Sequence, residues 1–435
     1  MQANKTFINF SITTAFLSFL IFSNTACVEQ NASLKESPAG SKNSEKVVPV
    51  NKDIKAAEDL IKKAPDSPAG YIQLAATYIR AARASGDFSL NSKAESAINR
   101  ALELAPENPN AQKLQASLLL TFHRFPEALA AGKNLIQKYP QDAFGYGVLT
   151  DANVELGNYK EAVETAQKMV DLRPNMESFA RVAHIRSLYG DTEGAIKAMS
   201  QATAMTHPQD KESKTWCFVQ LGNEYFKAGS YKEAEAAYDA ALKILPQYHY
   251  ALAGKGQARM AAGDYENAIK FLTESQERVP LTETVIALGN LYQKTGNAEK
   301  ANEQYKLVEV IEQKLGANND QRSLALFWAD QDIKLDEALE IAAREHANRK
   351  DVYTADVYAW CLYKKGRFAE AETAIKEAMR IKNKDARIFY HAGMIEKALG
   401  NKKEARELLQ NAIQINPAFD LLQAENAKRA LQELN

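Results

Sequence analysis

The chain has 435 residues, of which 46% are apolar and 25% charged, with 54 Lys and Arg against 55 Asp and Glu. That length holds two or three compact domains or one elongated array, and the apolar share is too high for a disordered chain. The near-neutral balance excludes a strongly basic nucleic-acid surface and any general attraction to anionic lipid, and three cysteines exclude a disulfide scaffold.

Residues 1–27 begin with a thin positive region, the amino terminus and Lys5, followed by an apolar run from Phe7 to Phe22. Asn9, Ser11, Thr13, Thr14 and Ser18 dilute that run, so the layout is that of a secretory signal, too short and polar for a membrane span. Thr25-Ala26-Cys27 resembles the lipobox of bacterial lipoproteins, with Asn24 where that family places Leu or a similar apolar residue. The resemblance implies a signal peptide over 1–26, lipidation at Cys27 and a place in the cell envelope, at the outer membrane facing the periplasm. An ordinary secretory signal and a retained anchor are the alternatives. Residues 28–50 are rich in Ser, Lys, Glu, Asn and Pro without periodicity, which predicts a flexible tether over 27–51. Cys217 and Cys361 lie in apolar helical context and read as core residues.

Beyond the tether, prolines fall at 65, 106, 140, 174, 208, 246, 280 and 417, and the steps from 106 to 208 are each 34 residues. Gly157, Gly190, Gly229, Gly263, Gly296, Gly366 and Gly400 form a second ruler. A period near 34 residues marks a helical solenoid. In residues 215–246, Phe218, Leu221, Gly222 and Tyr225 share one helical face, Gly229 breaks the helix, and Ala234, Tyr238 and Ala241 mark the buried face of a second. Pro246 then stops the chain.

This unit resembles the tetratricopeptide repeat, and the resemblance extends over most of residues 66–417. Units 249–280, 282–315 and 386–417 match nearly as well, and units 143–174, 176–208 and 352–385 keep the turn glycine. Unit 109–140 replaces that glycine, in this reading, by Arg124. Unit 319–350 has no turn glycine and rests on helical periodicity. The fold implied is all-α, a right-handed α-solenoid of about ten hairpins over 52–434. It has a lone helix at 52–64, an irregular unit at 68–106, regular units over 109–417 and a capping helix at 419–433.

Nothing in the sequence has the spacing of catalytic chemistry. The six histidines fall in separate units or junctions, no pair has metal-ligand spacing, and Gly254-Lys255-Gly256 sits within a repeat helix, not after a strand. No enzyme, metal or cofactor is expected.

The resemblance implies that first helices line a concave groove. It places there Trp216, Asn223, Tyr250, Asn290, Tyr353, Asp356, Trp360, Tyr363, Arg387 and Tyr390, with Trp360 and Tyr363 open in the groove. Asn223 and Asn290 stand where clamp-type members hold a peptide backbone, but Val219 and Ile286 replace the basic residues of that clamp. The expectation is an envelope-anchored scaffold gripping a protein or peptide, with no nucleic acid partner. A polysaccharide-binding or export-associated role, with Asp356 and Trp360 or Arg387 and Tyr390 framing a sugar, is the alternative. A structural spacer is the third.

Overall fold

The computed structural model describes residues 48–85, 87–315 and 321–434. The expected signal peptide, Cys27 and nearly all of the tether lie outside the described residues. Among those described there are 22 helices and no strand. They fall into two compact units that meet in sequence between Pro140 and Gln141.

The first unit holds α1 (Val48–Lys63), α2 (Pro68–Ser85), α3 (Ser89–Leu104), α4 (Pro109–Thr121) and α5 (Phe125–Lys138). Helix α1 starts four residues before the expected position, inside the range read as tether. Ala75, Ala94, Ile98 and Leu118 form the core in which α2, α3 and α4 meet. The turn between α4 and α5 corrects the sequence reading: His123, not Arg124, takes the left-handed conformation, with φ 54°.

The second unit is a run of hairpins. They are α6 (Ala143–Glu155) with α7 (Tyr159–Leu172), α8 (Met176–Leu188) with α9 (Thr192–Ala204), and α10 (Lys211–Lys227) with α11 (Tyr231–Ile244). There follow α12 (His249–Ala261) with α13 (Tyr265–Arg278), α14 (Thr282–Lys294) with α15 (Ala298–Leu315), and α16 (Arg322–Asp330) with α17 (Leu335–Asn348). The last are α18 (Val352–Lys364) with α19 (Phe368–Ala378), α20 (Ala386–Ala398) with α21 (Lys402–Ile415), and the closing α22 (Gln423–Glu433).

Local chemistry explains these boundaries. Asp142, Asn175, Asp351 and Asp385 accept backbone N–H bonds at the starts of first helices, satisfying donors the helix leaves open. The seven glycines of the second ruler all have positive φ, between 65° and 87°. The α16–α17 turn lacks one and instead places Asp332 and Lys334 at φ 55° and 45°, a conformation that costs a non-glycine residue about 1–2 kcal/mol. The weakest unit of the sequence reading is thus a hairpin, but a strained one.

Packing follows a small-to-large rule. Tyr238 of α11 is fully buried between Gly222 of α10 and Gly254 of α12, and any Cβ at either glycine would collide with its ring. Leu272 meets Gly256 in the same way, Tyr305 meets Gly289, and Leu409 meets Gly393. Each such side chain contributes roughly 1.5–3 kcal/mol by leaving water, and the missing Cβ lets the helices approach closely enough to bury it.

Within the second unit, each second helix packs on its own first helix and on the first helix that follows it. The run then closes on itself at every sixth hairpin. After α6, the Glu155 carbonyl accepts the Lys350 N–H at 3.1 Å, and its carboxylate holds the Arg349 guanidinium. The Tyr159 hydroxyl accepts the Val352 N–H at 2.8 Å. Further along, the Tyr231 hydroxyl donates to Asn416 Oδ1 at 2.5 Å, and Asn416 Nδ2 donates to the Phe226 carbonyl at 3.1 Å. Successive turns of the second unit therefore touch through specific polar bonds.

Candidate protein-interaction wall

The first helices α6, α8, α10, α12, α14, α16, α18 and α20 stack side by side. Repetition alone would line this wall with whatever each helix presents at one register. The contact between turns adds partners from the opposite side.

At the α6–α8 end the wall is charged and paired. Arg181 grips Asp151 with two bonds, at 2.9 and 2.6 Å. Glu224 accepts from the Ser187 hydroxyl at 2.6 Å and from Lys227 at 2.6 Å. Asp351, at the start of α18, takes Arg322 at 3.2 Å and Arg349 at 3.2 Å. Burial would raise its carboxyl pKa, but the two guanidinium groups outweigh that and hold it below the ordinary value. Among these charges His184 is pushed down to about 3, first by burial and then by Lys227.

The α16–α20 end is an aromatic and amide network. The Trp360 indole lies near-parallel to Tyr363 at 4.7 Å and to His391 at 4.1 Å. Its Nε1 donates to Asp330 Oδ1 at 2.8 Å. His391 Nδ1 lies 2.8 Å from Asp356 Oδ1. Gln423 completes the set: its Nε2 donates to Asp330 Oδ1 at 3.1 Å, and its Oε1 accepts the Tyr390 hydroxyl at 2.8 Å. Burial, then the charge of Asp420, pushes the Asp330 carboxyl up to about 6, against the pull of His391 and Arg387. Burial likewise opposes the charge on Arg387, but Asp420, Asp330, Asp385 and Asp356 prevail and hold its pKa above the usual value.

The sequence-predicted residues divide accordingly. Trp216, Asn223, Tyr250, Asn290, Tyr353, Tyr363 and Arg387 are half-buried on the wall. Trp360 and Tyr390 are 1% exposed and Asp356 is 3% exposed, so the expectation that Trp360 is open in the groove is corrected. The reason is tertiary: the neighbouring first helices and residues 419–423 cover these side chains. Asn223 and Asn290 also have an intramolecular use. Each accepts the hydroxyl of a tyrosine fifteen residues on, Tyr238 and Tyr305, both at 2.8 Å.

Sequence reasoning missed Asp330, Arg349, Asp420 and Gln423. A signal existed for the Asp356–His391 pair, which stands 35 residues apart, one repeat and one position. None exists for Glu155 with Arg349, whose separation of 194 residues depends on how the turns close. Among the described residues no group of His, Cys, Asp and Glu is placed to hold a metal, and no helix is long and apolar enough to cross a membrane.

One family model described as tetratricopeptide repeat matches residues 79–143 and 219–281, and a second such model matches residues 386–419. Those stretches carry tetratricopeptide repeats, the helical-hairpin scaffold of protein-interaction proteins, and the all-α hairpin solenoid expected from the period of 34 residues is the fold observed. Mouse Superkiller complex protein 3 is 27% identical over 162 residues, 37% of this chain and 10% of its own length. Anaphase-promoting complex subunit 3 of Schizosaccharomyces pombe is 24% identical over 184 residues, 42% of this chain and 27% of its own length. The chain therefore spans a small part of these curated relatives. Among solved structures, that of the APC/C hetero-tetramer Cut9-Hcn1 aligns with 88% of this chain and 67% of its own at 14% identity, with a TM-score of 0.48.

Proposed function

We propose that this chain is a non-enzymatic scaffold that binds a protein or peptide on the wall of its first helices and is held at the bacterial cell envelope through lipidated Cys27. The observation that carries the binding reading is the half-buried row Trp216, Phe226 and Tyr250 on α10 and α12. Large amphipathic rings that keep part of their surface in water at a repeat wall suit hot-spot contacts. The envelope reading rests on Thr25-Ala26-Cys27 and the signal-like run before it. If Cys27 is acylated, the segment before α1 is a leash and the hairpins face the periplasm from the outer membrane.

A carbohydrate ligand draws less support, because Asp356, Trp360 and Tyr390, three of the four residues that would frame a sugar, are buried in the network above. The test is a tagged chain recovered from cross-linked envelopes. The double variant Trp216→Ala/Tyr250→Ala, with an unchanged circular dichroism spectrum, is expected to lose the captured protein; undiminished recovery overturns the wall as the binding site. Mass spectrometry of the mature amino terminus tests the anchor, and an unmodified Cys27 sinks it.

A further inference from the structure

The stretch from Pro417 to Leu434, which includes α22, does two different jobs. Ala427, Ala430 and Leu434 join the core with Leu409 and Ala412, which is what closing the last hairpin requires. Residues 420–425 reach much further. Leu421 packs against the cluster of Leu272, Leu288 and Leu291, on hairpins more than a hundred residues earlier. Gln423 is held between Asp330 and Tyr390, and Glu425 pairs with Lys294 at 2.5 Å. Asp420 accepts the backbone N–H groups of Leu422 and Gln423, both at 2.9 Å, and so fixes the turn that presents the segment. None of the contacts with Leu288, Lys294 or Asp330 is needed to cap α20 and α21.

We propose that the wall formed by α14, α16 and α20 is a peptide-recognition surface whose resident ligand is the chain's own segment Asp420–Glu425. Three side chains of that segment, Leu421, Gln423 and Glu425, are each read by a chemically matched group. The Leu288 cluster takes a leucine, the Asp330 and Tyr390 pair takes a carboxamide by accepting from its nitrogen and donating to its oxygen, and Lys294 takes an acid. An outside protein segment on this wall must carry the same order, a leucine, a carboxamide two positions on and an acid two positions further, and must displace the resident. The inference rests on the reading that the wall binds protein segments. Tethered in cis, the resident acts at an effective concentration in the roughly millimolar range, so a free peptide of micromolar affinity is masked in the native chain.

The experiment needs only this chain. A fluorescent peptide of residues 417–427 is titrated into the native chain and into the variant Leu421→Ala/Gln423→Ala, which removes the resident's leucine and carboxamide while every wall residue keeps its identity. The variant is expected to bind the peptide at least tenfold more tightly than the native chain, and a peptide carrying Gln423→Ala is expected to lose that binding. Equal affinity for both proteins, or binding to neither, overturns the proposal. Should the variant fail to fold, the exposed pair supplies the test: Lys294→Glu is expected to speed amide exchange of residues 420–426 about tenfold, and Lys294→Glu/Glu425→Lys to return it. Exchange unchanged by the single substitution overturns the proposal as well. Either failure concerns the resident segment, and capture of an envelope protein through Trp216 and Tyr250 stands or falls separately.

Discussion

The Trp360 indole donates to the Asp330 carboxylate across 2.8 Å, joining α18 to the hairpin before it through a bond buried beneath His391 and Tyr363. A residue expected to offer an aromatic surface to a partner is thereby part of the core, and its polar atom is already used. Trp360→Ala is expected to destabilise the second unit by about 3–5 kcal/mol through the cavity it leaves. Trp360→Phe retains much of the volume but strips Asp330 of a donor, at about 1–3 kcal/mol. Chemical denaturation followed by circular dichroism reads both, and a Trp360→Ala protein as stable as the native one refutes the buried placement.

The same carboxylate makes stability depend on pH. Its pKa of about 6 in the fold stands above the ordinary value of 3.8, so the folded state keeps the proton after the unfolded chain has lost it. The contribution of Asp330 is therefore fully present at pH below about 4 and is lost as pH rises to about 6. Asp330→Asn removes this dependence. The native protein, compared with the variant, should lose on the order of 2 kcal/mol between pH 4 and pH 7. A difference that does not change with pH contradicts the raised value.

His249 has the opposite sign. Burial holds its pKa down at about 4, so the fold keeps the ring neutral while the unfolded chain takes a proton near 6.5. Its contribution is present above pH 6.5 and lost as pH falls toward 4. His249→Gln should therefore flatten the acid limb of the melting-temperature profile below pH 6.5. An acid limb identical to that of the native protein would falsify this assignment.

Gly157 and Gly263 separate backbone strain from contact between turns. Both have positive φ, 73° and 78°, but a Cβ at Gly157 would strike the Lys350 carbonyl and Arg380, whereas at Gly263 nothing lies within 4 Å. Gly263→Ala should cost only the left-handed strain, about 1–2 kcal/mol. Gly157→Ala should cost at least about 2 kcal/mol more, because the loop before α18 must move. Equal costs in thermal unfolding would mean that the turns do not touch in solution.

Cys217 and Cys361 are both buried, and burial, aided by Glu177 at the first and Asp330 at the second, pushes each thiol well above its ordinary pKa. Neither should react with iodoacetamide in the folded protein at pH 8, while denaturant should expose both. Rapid labelling of the native chain would show that these helices open more readily than their packing allows.

Much of the architecture is legible from residue spacing because its causes are local. A glycine at each turn, an Asp or Asn before a first helix and an apolar face at three- and four-residue intervals act within one hairpin or between neighbours. The local reading slips where a turn is made without glycine: His123 and Asp332 take left-handed conformations that nothing in their residue type announces. It slips again at residues 419–422, read as the start of the capping helix, where Asp420 instead accepts the backbone N–H groups of Leu422 and Gln423 just ahead of α22.

The amino-acid sequence by itself determined the hairpins, their order and the face each first helix turns toward the wall, because helical period and turn chemistry are properties of short stretches. Only the tertiary structure decided which wall residues remain accessible. Each hairpin is rotated slightly from the last, by an amount set by side-chain volumes at that interface, and the rotations over five successive interfaces bring Glu155 to Arg349 and Asn416 to Tyr231. No short stretch encodes their sum. Neighbouring first helices, together with the return of Phe419 and Gln423 to them, bury Trp360 and Tyr390, while Trp216 and Tyr250 stay partly in water.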